Sequence, residues 1–174
     1  VSFQGNWEMG IPLNMSPPKC GMLTTLLLRG CRIESIPESF FDHMLGLKIL
    51  NLSRNSIESL PASIVNLKDL TVLLLQSCRS LKRVPSLSNL QALKKLNLAW
   101  TGIEDLPHGM ERLVNLQHLD LSETGVNVPD GLLAKLTFLR SLKLIRCKRF
   151  LKGEEIGGLN NLEQLEGMFS DVDE

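Results

Sequence analysis

Residues 93–107 read LKKLNLAWTGIEDLP. The leucines at 93, 96 and 98 are spaced by three and two, which fits neither the stripe of an amphipathic helix nor the alternation of a half-buried strand. The stretch is one copy of a pattern. A leucine heading LxxLxL occurs at Leu23, Leu47, Leu70, Leu93, Leu116 and Leu139, and a seventh copy keeps Leu162 and Leu165; the steps are 24 and then 23 residues throughout. Three residues beyond each LxL stands Cys31, Asn55, Cys78, Thr101, Thr124 or Cys147, and most copies run on to an apolar residue and a proline.

The spacing has a physical reading. Each LxL is a short strand with both leucines on one face, and the leading leucine turns into the same core from the bend before it. No copy can bury its own leucines, but stacking copies in parallel, about 4.8 Å apart, buries a continuous leucine core and leaves the intervening positions on a concave face. The Asn, Cys or Thr turns the chain out of the strand while its polar group satisfies backbone groups of the bend. Pro37, Pro61, Pro85, Pro107 and Pro129 then suit the start of short helical turns, from which residues such as Ile64, Leu67, Met110 and Leu113 cover the core on the convex side. The distance from bend residue to proline varies between five and seven residues, and each deviation is undone before the next strand. The strand ladder is constant and the convex side absorbs the slack.

This pattern resembles the leucine-rich-repeat consensus LxxLxLxx(N/C)xL. The predicted fold is an α/β solenoid, a horseshoe with a concave parallel β-sheet and convex short helical or 3-10 turns, with a period of about 23 residues. Its divisions are residues 1–22 as a partial preceding repeat and connection, 23–161 as six repeats, and 162–174 as a truncated seventh repeat with an acidic end. VSFQGN at 1–6 reads as the end of a repeat, and GMFSDVDE at 167–174 never reaches a bend and proline. Ends without polar caps predict a fragment of a longer chain.

Composition narrows the function classes. Nineteen basic and nineteen acidic side chains cancel, so no overall field draws the chain to nucleic acid or an anionic membrane. Apolar runs such as LTTLLL at 23–28 fall far short of the roughly 20 residues that span a bilayer. Cys31, Cys78 and Cys147 fill one repeat position, and Cys31 lies two rungs, roughly 10 Å, from Cys78, too far to pair. Free buried thiols favour a reducing, cytoplasmic setting. Nucleophile-elbow, zinc-peptidase and phosphate-loop motifs do not occur, and His43, His108 and His118 fall on a connection, a convex turn and a strand, where they do not converge on a metal. The expectation is a non-catalytic segment with no cofactor or metal of its own.

Binding is therefore sought on the concave face. By register the outward strand positions include Leu27, Ile49, Val72 and Leu74, an apolar cluster across neighbouring rungs, and farther along His118 and Lys143. RSLKLIRCKRFLK at 140–152 carries six bases and no acid, whereas 153–174 carries seven acids and no base. The basic block, with Lys143, Arg146 and Arg149, either steers an acidic partner or pairs with acids on adjacent rungs. Trp100 falls at the strand's exit, in the column of Arg54, Ser77, Glu123 and Arg146, outside the core. Beside Lys94 and Lys95 it is a candidate interface anchor, the alternative being packing over its neighbours' aliphatic stems.

Segments such as IESLPASIVNLKDL and TGIEDLPHGMERLVNLQHLDLSETG, with a CxxLxxLP-type step at Cys78, Leu81, Val84 and Pro85, resemble the repeats of plant intracellular nucleotide-binding leucine-rich-repeat immune receptors of the coiled-coil class. The LxGxIP segment of extracellular plant receptors is absent. The resemblance implies a segment that takes part in recognising a pathogen effector or guarded host protein. It also implies contact with the receptor's own nucleotide-binding domain, which it helps hold at rest, with ADP or ATP bound in that separate domain. Two other readings remain open at this stage: a free-standing intracellular scaffold or signalling adaptor, and a secreted ectodomain bearing glycan on Asn51.

Overall fold

A computed structural model describes Ile11, Asn14, residues 16–147 and residues 153–167. Seven three-residue strands follow one another in chain order: β1 (Thr25–Leu27), β2 (Ile49–Asn51), β3 (Val72–Leu74), β4 (Lys95–Asn97), β5 (His118–Asp120), β6 (Ser141–Lys143) and β7 (Gln164–Glu166). They form a single parallel sheet whose spatial order equals the sequence order. The register runs Leu26, Leu50, Leu73, Leu96, Leu119, Leu142 and Leu165 across the sheet, so every rung sets its central leucine on the same inner column. The expected solenoid is the observed fold. The partial repeat expected at 1–12 falls, apart from Ile11, outside the described residues.

Behind the sheet lies a continuous leucine core. Leu47, Leu70, Leu93, Leu116 and Leu139, the leading leucines, are wholly buried, as are Leu52, Leu75, Leu98 and Leu121 from the second position of LxL. Burying a leucine stabilises by about 1.5–3 kcal/mol. The convex side closes this core with short pieces. Residues Ala62–Asn66 and Met110–Arg112 form 3-10 turns, and Leu132–Lys135 and Gly153–Ile156 form single-turn α-helices. Pro61 caps the first turn and Pro129 accepts from Leu132 N–H ahead of the first helix, in keeping with a residue that needs no donor there. Between β1 and β2 the closing residues are Phe40 and Phe41, edge to face with centroids 5.1 Å apart.

The bend residue, four positions beyond each strand, carries the most hydrogen-bonding responsibility. Asn55 is buried, and its amide donates to the carbonyls of Leu28 (2.8 Å) and Leu52 (2.7 Å), while its oxygen accepts from Ile33 N–H (3.0 Å). One side chain thus ties two rungs together. Cys78 donates to Leu52 of the rung before it at 3.1 Å, and Cys147 to Leu121 at 3.0 Å. Thr101 and Thr124 instead donate to Leu98 and Leu121 of their own rungs, at 2.7 and 2.6 Å. Cys20, Cys31, Cys78 and Cys147 are all free thiols.

Truncating Asn55 to alanine strands the buried Ile33 N–H and the Leu28 carbonyl and leaves the Leu52 carbonyl only its bond from Cys78, so Asn55→Ala is expected to cost about 3 kcal/mol, read from the urea midpoint. A loss of under about 1 kcal/mol would show that the bend does not depend on the amide. The cysteines give a second expectation. Burial pushes the thiols of Cys78 and Cys31 above their ordinary range, with backbone hydrogen bonds opposing this in part at Cys78. A raised value means less thiolate at a given pH, so at mildly alkaline pH iodoacetamide should label exposed Cys20 well before Cys78, the difference vanishing in denaturant. Equal labelling of the native chain would contradict the buried placement.

Candidate functional site

The register sorts the outward strand positions into two rows along the concave face. One row is Thr25, Ile49, Val72, Lys95, His118, Ser141 and Gln164; the other is Leu27, Asn51, Leu74, Asn97, Asp120, Lys143 and Glu166. Ile49 and Val72 are direct neighbours in the first row, and Leu27 and Leu74 flank Asn51 in the second. The four form one apolar patch. Leu27 is 36% exposed and the other three are half-buried. Their aliphatic groups face away from the leucine core, which is complete without them.

The polar members of the second row serve the sheet's own edge. Asn51, Asn97 and Asp120 each accept, at 3.0 Å, the backbone N–H two residues on, from Ser53, Ala99 and Ser122. Such local bonds satisfy donors where the strand ends. Asn51, the residue on which a secreted ectodomain would bear glycan, uses its side-chain oxygen for this bond.

From β4 onward the face is polar, and among the described residues ion pairs join the rungs of β5, β6 and β7. A shallow depression of about 270 Å³ is lined by Lys95, His118, Asp120, Ser141, Lys143 and Gln164 among others. Lys143 meets Glu166 at 2.7 Å, Arg146 meets Glu123 at 2.9 Å, and Arg140 meets Glu163 at 3.5 Å. The hydrogen bond to Glu166 raises Lys143 above the ordinary lysine range; partial burial opposes this, and the charges of Glu166 and Asp120 add to it. Of the basic block at 140–152, Arg140, Lys143 and Arg146 thus pair across rungs. Arg149 lies outside the described residues.

Trp100 is 41% exposed at the strand's exit, and the Arg79 guanidinium of the preceding rung sits 5.7 Å from its ring centroid. Lys94 and Lys95 on the same rung are exposed. The Arg79 stacking, a cation–π contact, was not legible in the sequence, because the partners are twenty-one residues apart. Nor was the backbone at this column. Arg54, Ser77, Trp100, Glu123 and Arg146 all have positive φ, from 53° to 63°, and Gly30 holds the same place at 66°. The left-handed residue keeps its N–H in the ladder, Trp100 donating to Ser122 at 2.9 Å, while the chain turns to bury the next side chain. Gly30 was the only hint, since glycine enters this region without cost.

Among the described residues no group of three or more His, Cys, Asp or Glu could hold a metal, and no helix is long and apolar enough to cross a membrane. His43, His108 and His118 are exposed and separate.

Comparison with known proteins bears on this surface. Two family models match, one described as leucine rich repeat over residues 22–79 and one as leucine-rich repeat region over residues 70–174. A disease resistance protein of Arabidopsis thaliana is 36% identical over 171 residues, 95% of this chain and 17% of that protein. A probable disease resistance protein of the same plant is 35% identical over 73% of this chain and 11% of its own length. The chain therefore spans less than a fifth of these relatives. Among solved structures, a leucine-rich-repeat protein of Leptospira interrogans superposes with a TM-score of 0.71 at 27% identity, over 87% of this chain and 38% of that one. The Listeria monocytogenes internalin C2, at 23% identity, shares the fold with a TM-score of 0.72 over 88% of this chain and 66% of its own.

The left-handed backbone makes Trp100 separable from the core. Trp100→Ala should cost under about 1 kcal/mol, and Trp100→Gly should be more stable than the alanine variant by up to about 1 kcal/mol because it relieves the positive φ. Thermal melts of the two variants decide. Losses of about 3 kcal/mol or more in both would mean that the indole supports the core.

Proposed function

We propose, for a chain that belongs to the leucine-rich-repeat family, that it is a non-catalytic protein-contact segment of a plant immune receptor. In this reading the concave face takes part in recognising a pathogen effector or a guarded host protein. It also helps restrain an ADP/ATP switch that lies in another domain, and the assembled receptor works in the cytoplasm. The observation that carries it is the similarity to disease resistance proteins along almost the whole chain, joined to a sheet whose concave side bears an apolar patch that the core does not need. Residues 23–161 act as the repeat array, flanked by part-repeats at 1–22 and 162–174.

Physically, recognition requires that a partner contact resting and active arrangements unequally, since equal contacts shift no population. A rigid concave sheet suits this. Its outward side chains are fixed by the ladder, so a small relocation of a neighbouring domain gains or loses several of them together.

The test is made in the full-length protein that carries this segment, expressed in leaf tissue at matched levels. Val72→Glu with Leu74→Arg should alter the cell-death response, either abolishing the triggered response or releasing it without a trigger. Lys135→Glu, on the convex helix, should leave it unchanged. An unaltered response in the concave variant, with normal protein accumulation, rejects the concave face as the working surface.

A further inference from the structure

The charges of the concave face and its strand-exit rim are segregated along the solenoid. In the first four rungs, the segments 24–32, 48–56, 71–79 and 94–102 hold seven bases and no acid. Lys48 and Lys94, at the position before the strand, lie on the upstream side of the apolar patch, Lys95 follows Val72 in the first outward row, and Arg29, Arg32, Arg54 and Arg79 lie on the downstream side. All seven are exposed, and none forms an ion pair with a described residue. The acids nearest in sequence, Glu34, Glu58, Asp69 and Glu104, each fall two residues outside these segments. In the later rungs Arg146, Arg140 and Lys143 are answered by Glu123, Glu163 and Glu166. Thus, among the described residues, the unpaired bases of this surface lie in the first half of the array, although the densest basic run in the sequence lies at 140–152, where Lys148, Arg149 and Lys152 fall outside the described residues.

We propose that the first four rungs bind an amphipathic helix of a partner protein that has an aliphatic stripe flanked on both sides by acidic residues. The inference rests on the concave-face reading above and supplies the partner's chemistry. The two basic rails flank three-residue strands, about 10 Å long at 3.3 Å per residue, a width comparable to the 10–12 Å diameter of a helix. The floor between them is Leu27, Ile49, Val72 and Leu74. A helix can place acids on either side of an apolar stripe. An extended segment cannot, because alternation puts its acids on the face opposite its apolar residues. Nucleic acid fits less well: the floor is aliphatic where a strand of bases needs stacking surfaces, and the one described aromatic ring of this surface, Trp100, is already covered on one face by Arg79.

The experiment measures fluorescence anisotropy of a dye-labelled 18-residue helical peptide, leucine along one stripe and glutamate on both flanks, titrated with the chain. Saturable binding is expected. It should weaken by about tenfold or more with Lys48→Glu plus Lys94→Glu, with Arg29→Glu plus Arg54→Glu, and with Val72→Ser plus Leu74→Ser. Arg140→Gln, on the internally paired half, should leave it unchanged. Circular dichroism melts establish that each variant is folded, and Leu27→Ser serves if the double serine variant is not.

Equal binding of a peptide with serine in place of leucine would overturn the apolar floor. Equal binding of an alternating glutamate–leucine peptide would overturn the helix, and tighter binding of a dT oligonucleotide would overturn the protein partner. Failure of the helical peptide to bind, while the leaf response still depends on Val72 and Leu74, overturns the acidic-helix assignment alone. An unresponsive leaf assay instead removes the broader reading.

Discussion

Everything in this molecule follows from one constraint: a three-residue strand has too little surface to bury its own leucines, so each rung is stable only against the next. The parallel ladder that results holds residues in columns, one contribution per rung, and a column then experiences one environment from end to end. The inner columns are leucine because the core is continuous. The bend column is Cys, Asn or Thr because it is buried and yet must receive or donate a hydrogen bond at the edge of the sheet. Asn55 does this most completely, spanning two rungs, whereas the threonines close only their own.

The same constraint frees the concave face. Once the ladder hydrogen bonds and inner leucines are in place, the outward rows have no structural obligation except where Asn51, Asn97 and Asp120 take up backbone donors two residues on. Aliphatic residues at Leu27, Ile49, Val72 and Leu74 are therefore not explained by the core. At the other end, cross-rung pairs occupy the rows, Lys143 with Glu166 being the shortest of the ion pairs described here. Exposed pairs of this kind contribute little stability, but they neutralise one half of the surface and leave the other half charged.

The fold was legible because its signal repeats: spacing of three and two, recurring at 23 residues, is a statement about columns. The outward rows, the buried bend and the exposed Trp100 followed from register alone. What stayed hidden were relationships across rungs that have no sequence signature. Arg79 against Trp100 is one. The left-handed column is another, since arginine, serine, tryptophan and glutamate there carry no glycine signal, and the conformation is imposed by the ladder bond on one side and the buried bend on the other. Tertiary demand overrode local preference at five non-glycine positions of that column.

Charge gives the sharpest case. A linear scan weights neighbours in sequence, so 140–152 stands out and the first four rungs, with one or two bases in each nine-residue segment, do not. In the solenoid, residues one period apart are about 4.8 Å apart, and residues that are adjacent in sequence point to opposite faces. The relevant density is thus counted down columns and after subtracting paired acids. By that count the block at 140–152 loses Arg140, Lys143 and Arg146 to acids on adjacent rungs, while Lys48, Arg54, Arg79 and Lys94 keep their charge. A net charge of zero for the chain therefore conceals, among the described residues, a concave surface whose later rungs pair their charges and whose first four rungs do not. It is the unpaired rungs that also carry the aliphatic floor, and this coincidence, more than either feature alone, distinguishes a contact surface from a solvated one.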